Sequence, residues 1–96
     1  MINIHPTAEV DKGAEKALES GKSLLAIGII KIDGSFSKGD NILILNENND
    51  ELARGLSSFS SKELIKIIGK RSKEIEKILG YPSKSEVVHI DDMVKI

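Results

Sequence analysis

The 96-residue chain contains no cysteine, which excludes disulfides and thiolate metal sites. Its two histidines, His5 and His89, are too few for a histidine-based metal cluster, so neither a metal nor a cofactor is expected. Aromatic side chains are scarce as well. Phe36, Phe59 and Tyr81 are the whole set, a poor platform for stacking unpaired bases. Charge of one sign is also missing, since fourteen basic and fifteen acidic side chains leave a net charge of −1 and no global attraction to nucleic acid or anionic lipid. The longest apolar stretch, Leu24 to Ile30, contains Gly28 and falls far short of the roughly 20 residues of a membrane span. The N-terminus lacks a basic-then-apolar signal pattern. These absences predict a soluble, cytoplasmic protein with no membrane partner.

What is present suits one compact domain: 40% of the residues are hydrophobic and 30% charged, enough for a modest core and too short a chain for a second one. The stretch from Asp33 to Leu45 organises the rest. Asp33-Gly34 and Lys38-Gly39-Asp40-Asn41 supply turn residues, and Ile42 to Leu45 follows as a continuous apolar run that reads as a buried strand. Before it, Ile2 and Ile4 alternate with polar residues as a short strand ending at His5-Pro6. Asp11 caps a helix with Ala14, Ala17 and Leu18 on its apolar side and Gly21 at its stop. Leu24 to Ile32 reads as a strand region buried on both sides or bent at Gly28.

After the central strand, Asn46 to Asp50 predicts a hairpin loop and Glu51 to Phe59 its second arm. In that arm Leu52, Arg54 and Leu56 share one face and Ala53 and Gly55 the other, which breaks simple amphipathic alternation. Arg54 is expected to lay its stem on the sheet and send its guanidinium to solvent or a carboxylate. Ser60 and Glu63 form a capping box ahead of Leu64, Ile65, Ile67 and Ile68, with Gly69 as the stop. Ser72 is expected to cap a second helix that buries Ile75, Ile78 and Leu79 and stops at Gly80. Glu86 to Ile90 and Met93 to Ile96 read as closing strands around an Asp91-Asp92 turn. The two helices carry the one basic region, Lys62, Lys66, Lys70, Arg71, Lys73 and Lys77 against Glu63, Glu74 and Glu76. It is read as a solvated helix surface before a dedicated phosphate patch.

Most of the tempting chemistry fails on spacing. Gly21-Lys22-Ser23 resembles the end of a phosphate-binding loop, but Lys16 occupies the position of the required earlier glycine. The order is also helix then strand, the reverse of what a phosphate cradle needs. Asp33, Ser35 and Ser37 alternate like the start of a calcium loop, yet Lys38 stands at the obligatory glycine and Ile44 at the bidentate glutamate. Asp91 and Asp92 are adjacent and suit backbone capping better than a shared proton. His89, between Val88 and Ile90, is expected in solvent or in a hydrogen-bonded site at the sheet margin. With no nucleophile, base and orienting group in a matched pattern, the chain reads as a binding or regulatory module, not an enzyme.

The segments Val10 to Ala14, Gly21 to Leu25, Gly34 to Asp40, Ala53 to Leu56, Gly69 to Ile75, Ile78 to Tyr81 and Val88 to Met93 closely resemble PUA domains, specifically the C-terminal PUA domain of the glutamate 5-kinase (gamma-glutamyl kinase) branch. The Gly39-Asp40 turn is general to PUA domains. Ile78-Leu79-Gly80-Tyr81 and Val88-His89-x-Asp91-Asp92-Met93 point to the kinase branch. The resemblance implies a mixed α/β, mainly β pseudo-barrel with short flanking helices, one PUA domain over residues 1–96 with its core from about residue 8 onward. In that branch a separate amino-acid kinase domain phosphorylates the γ-carboxylate of L-glutamate with ATP, at the first step of proline synthesis. That domain is absent here, so its sites map onto no residue of this chain. Its partner by resemblance is that kinase domain or the enzyme's oligomer, with a regulatory or assembly role. The alternative is a free-standing RNA-binding module, for which PUA domains imply candidate contacts at Lys22, Ser23, Leu24 and Gly28, with weak binding. Three departures stand out: Ala26 where a proline commonly follows Leu-Leu, Ile90 in place of the usual arginine, and residues 1–6, which look particular to this chain.

Overall fold

The computed structural model describes residues 6–96, so the strand expected at Ile2 and Ile4 lies outside the described residues. Strand β1 (Thr7–Val10) is the first element among the described residues, where the sequence reading placed no strand, and leads through Asp11 into helix α1 (Lys12–Glu19). Asp11 is the expected cap, its carboxylate accepting from Ala14 N–H at 2.8 Å. Beyond α1 the chain forms β2 (Leu24–Leu25), a 3₁₀ turn (Ala26–Gly28) and β3 (Ile29–Asp33). The apolar stretch from Leu24 to Ile32 is therefore two strands with a bend between them. Strands β4 (Asn41–Leu45) and β5 (Glu51–Leu56) make the hairpin, helices α2 (Ser61–Ile67) and α3 (Ser72–Leu79) follow, and β6 (Glu86–Val88) and β7 (Met93–Lys95) close the fold across a second 3₁₀ turn (Ile90–Asp92).

Five strands form one sheet in the order β3-β1-β4-β5-β7, and β2 pairs with β6 in a second. Only β1 and β4 run parallel; the other pairs are antiparallel. The two edge strands of the large sheet, β3 and β7, each continue through a 3₁₀ turn into a strand of the small sheet. That double connection makes the mixed α/β, mainly β pseudo-barrel. Ala8, Val10, Ile42 and Ile44 point inward against Leu24, Phe59, Leu64, Ile67, Ile75, Val87 and Val88. Burial of this set is the main stabilising term.

Several boundaries differ from the sequence reading for local reasons. In β4, Ile42 and Ile44 are buried while Leu43 and Leu45 are half-buried, so the apolar run alternates. Strand β5 stops at Leu56, short of Phe59, because the Ser57 hydroxyl donates to Phe59 O and accepts from Phe59 N–H, which turns the chain. Arg71, not Ser72, holds the N-cap position of α3, without a side-chain cap bond. Ile65 and Ile78 are exposed, so the buried faces of α2 and α3 are narrower than their composition suggested. Strand β6 ends at Val88, and Asp91-Asp92 falls in the 3₁₀ turn.

Asn46 is a buried polar residue whose role the sequence did not announce. Its side-chain oxygen accepts from Asn48 and Asp50 N–H, and its amide donates to Glu15 Oε2 and Asp50 Oδ2. The hairpin loop is thereby fastened to α1. On β5, the small residues Ala53 and Gly55 face the core while Arg54 and Leu56 are exposed, which resolves the broken alternation: the inner side has room only for small groups.

The capping box of α2 is present as expected, with Ser60 N–H donating to Glu63 and Glu63 N–H to Ser60 Oγ. Tyr81 Oη also donates to Glu63 Oε2. Partial burial works against the Glu63 carboxylate, but the bonds from Tyr81 and Ser60 and the charge of Lys38 outweigh it and hold its pKa below the ordinary 4.5. A depressed folded-state pKa contributes stability above the unfolded value that is lost as pH falls through the lower folded one. Glu63→Gln keeps an oxygen for the cap but has no charge to lose. The drop in Tm between about pH 7 and about pH 3 is expected to be smaller in this variant than in the parent chain, and equal drops would refute the assignment.

Candidate functional site

Helix α1 ends in a Schellman motif. Gly21, at φ 79°, donates its N–H to Leu18 O, and Lys22 N–H reaches Ala17 O, satisfying two terminal carbonyls. Gly21-Lys22-Ser23 is thus a helix cap, with its first two amides turned back on α1 and away from any anion. The chain then reverses, and Ser23 Oγ accepts from Ile90 N–H at 2.8 Å, tying this turn to the second 3₁₀ turn.

Between α1 and the returning segment lies an open groove of about 280 Å³, lined by Asp11, Gly13, Ala14, Ala17, Lys22, Ser23, Leu25, Ile27 and Gly28. Its walls are mostly apolar, with Leu25 and Ile27 partly exposed, and it holds one cation, Lys22, and one anion, Asp11. Three of the four residues singled out from the sequence, Lys22, Ser23 and Gly28, share this groove. Leu24 does not line it: its side chain is fully buried in the core. Gly28 is occupied from within. A Cβ there would lie 2.5 Å from Ala14 Cβ, and Gly28 O accepts from Asp11 N–H at 2.9 Å. The close approach it permits is that of α1. The sequence reading did not pick out Gly13, Leu25 and Ile27 as part of the site. Small residues on one face of α1 opposite an outward Leu25 and Ile27 were the available signal.

The sequence profile of the PUA domain matches residues 6–79. The chain belongs to the PUA-domain family. Among relatives of this PUA domain, glutamate 5-kinase of Pelagibacter ubique is 64% identical over 87 residues, covering 91% of this chain and 24% of the relative. Glutamate 5-kinase of Bartonella henselae is 53% identical over 85 residues, covering 88% and 22%. The chain spans about a quarter or less of these relatives, at their C-terminal part. Among solved structures, a PUA domain from Aeropyrum pernix, crystallised as a tartrate complex, superposes with a TM-score of 0.66 at 25% identity, over 90% of this chain and 42% of that one. An archaeal box H/ACA sRNP superposes at 0.67 with 22% identity, over 96% of this chain and 24% of that one.

In this PUA domain the basic residues Lys62, Lys66, Lys70, Arg71 and Lys73 are all exposed, and none lines the groove. The two features are nonetheless neighbours, because Gly69 N–H donates to Ala26 O at 2.7 Å and so sets the α2–α3 turn against the 3₁₀ turn that carries Ile27. His89 lies at the sheet margin, its Nδ1 accepting from Asp91 N–H at 3.1 Å, which caps the second 3₁₀ turn. Among the described residues no three His, Asp or Glu side chains gather as a metal site, and no helix is long and apolar enough to cross a membrane.

Proposed function

We propose that the chain acts as the non-catalytic PUA module of a glutamate 5-kinase, serving the ATP-dependent phosphorylation of glutamate in proline biosynthesis without performing it. One observation carries this: relatives of that name match 88–96% of the chain while it spans only 22–25% of them. Its partner is then the amino-acid kinase domain of the same enzyme or its oligomer, its role regulation or assembly, and its setting the cytoplasm. Phosphoryl transfer needs a phosphate cradle and bound metal, whereas Gly21 and Lys22 spend their amides on the α1 cap. The pure chain is expected to release no ADP from ATP and glutamate. Grafted in place of the matching quarter of the Pelagibacter ubique enzyme, it should sustain turnover. Deleting that quarter should alter the assembly state or the response to glutamate concentration. ADP release by the chain alone, or a deletion with no effect on either property, would overturn this function.

A second reading, an RNA-binding module, is favoured by the convergence of Lys22, Ser23 and Gly28 on one groove and by PUA folds found in particles such as the H/ACA sRNP. Charge sets its strength. One lysine, sharing the groove with Asp11, releases few counterions, so binding near about 0.15 M salt is expected to be weak and indifferent to sequence. A submicromolar affinity under those conditions, abolished by Lys22→Glu and untouched by Lys70→Glu, would reverse the ranking.

A further inference from the structure

The outer face of the large sheet is left without a covering element where β4, β5 and β7 meet. Leu43, Arg54 and Val94 form one cross-strand row, Val94 is 72% and Leu56 45% exposed, and Arg54 makes no ion pair or side-chain hydrogen bond among the described residues. A hollow of about 530 Å³ opens beside this row, with Asn41, Arg54, Leu56, Asp91, Asp92 and Val94 on its walls. Carboxylates of Asp91 and Asp92 repel a phosphate chain, while apolar side chains around a lone guanidinium suit a protein surface that presents a carboxylate.

We propose that this face docks against the domain that precedes the PUA module in the longer glutamate 5-kinases. The inference rests on the accessory-module function above. Thr7 pairs with Leu43 in the same row, so chain arriving ahead of Thr7 enters the sheet two strands from Arg54. At about 4.8 Å per strand, the tether point is about 10 Å from Arg54 and about 14 Å from Val94. Size selects the tethered partner over a second copy. Leu43, Arg54, Leu56 and Val94 are far fewer than the roughly 20–30 residues a side that stable complexes of separate molecules bring together. A domain on the same chain needs less, because the linker supplies a high effective concentration.

The absence of native cysteine makes the test direct. Val94→Cys, Leu56→Cys and, as a control on α2, Ile65→Cys are labelled with a maleimide in the free chain and in the graft on the Pelagibacter ubique enzyme, and labelling is read by peptide mass. At Val94→Cys and Leu56→Cys the graft should label about tenfold more slowly or less, with Ile65→Cys unchanged, and adding Arg54→Glu should restore the rate without shifting the free chain's Tm. Equal rates in an active graft would sink the docking face and leave the accessory function standing, whereas equal rates in an inactive graft would sink both. Protection that appears in the free chain as its concentration rises would assign the face to a second copy and overturn the proposal.

Discussion

Gly55→Val is expected to lower Tm by about 15 °C or more, the largest effect of any single substitution considered for this fold. Gly55 lies on the inner side of β5 opposite Met93. A Cβ there would overlap Val88 Cγ1 and lie 2.9 Å from Asp92 O, with Met93 Cα at 3.4 Å. Two of these neighbours are backbone, one in the second 3₁₀ turn and one in β7, so relief requires the closing strand to move away from β5. Overpacking of a tight core typically costs about 1–3 kcal/mol, and a branched side chain against backbone belongs above that range. The total stability of a domain this size is on the order of 5–10 kcal/mol. Arg54→Ala, one residue away on the exposed face, is the control. Similar thermal melts for the two variants would show that the inner face has space the structure denies.

Gly28→Ala is expected to lower Tm by about 5–15 °C, for a penalty of about 1–3 kcal/mol. Backbone strain is not involved, because Gly28 has no positive φ. The whole effect comes from the Ala14 methyl 2.5 Å from the added Cβ, which would push α1 off the 3₁₀ turn and strain the Asp11 N–H to Gly28 O bond. A double-mutant cycle isolates the contact. Ala14→Gly removes the offending methyl at a helix cost of about 1 kcal/mol, so the pair should be more stable than the sum of the two losses predicts. Strict additivity would dismiss the contact. Because the same two residues line the groove, the cycle also reports whether Gly28 serves helix packing there.

How much of this was legible in the sequence depended on whether the signal was local. Caps were readable because they are short-range: Asp11 reaches Ala14, Ser60 reaches Glu63, and Gly80 closes α3 at φ 85°. The β4–β5 hairpin followed from its turn residues for the same reason. Strand β1 was missed because Thr7–Val10 owes its structure to partners on either side, β3 and β4, and little to its own four residues. The reversal on β5 was visible as an anomaly but unexplained, since the reason Gly55 faces inward is Val88, far along the chain. At the candidate site, resemblance named Lys22, Ser23, Leu24 and Gly28 together and could not tell that three of them share a groove while Leu24 is buried through the β2–β6 pair. The adjacency of the basic corner and the groove rests on one backbone bond, Gly69 to Ala26, and no spacing rule announces such a bond.

The joining of β3 to β2 and of β7 to β6 through paired 3₁₀ turns has a consequence for the time course of folding. The β4–β5 hairpin and the helix caps connect near neighbours and can form early. Closure of the barrel cannot, because it depends on contacts such as Ser23 with Ile90, 67 positions apart, and loop entropy must be overcome before such contacts contribute. Until β7 pairs with β5 and β6 with β2, β5 and β2 are unpaired edges, free to pair with another chain. A nascent chain still short of Val87 and Val88 would hold its hairpin and helices yet leave β5 and β2 without their partners, so the interval between synthesis of β5 and arrival of β6 and β7 is the period when this domain is most exposed to aggregation.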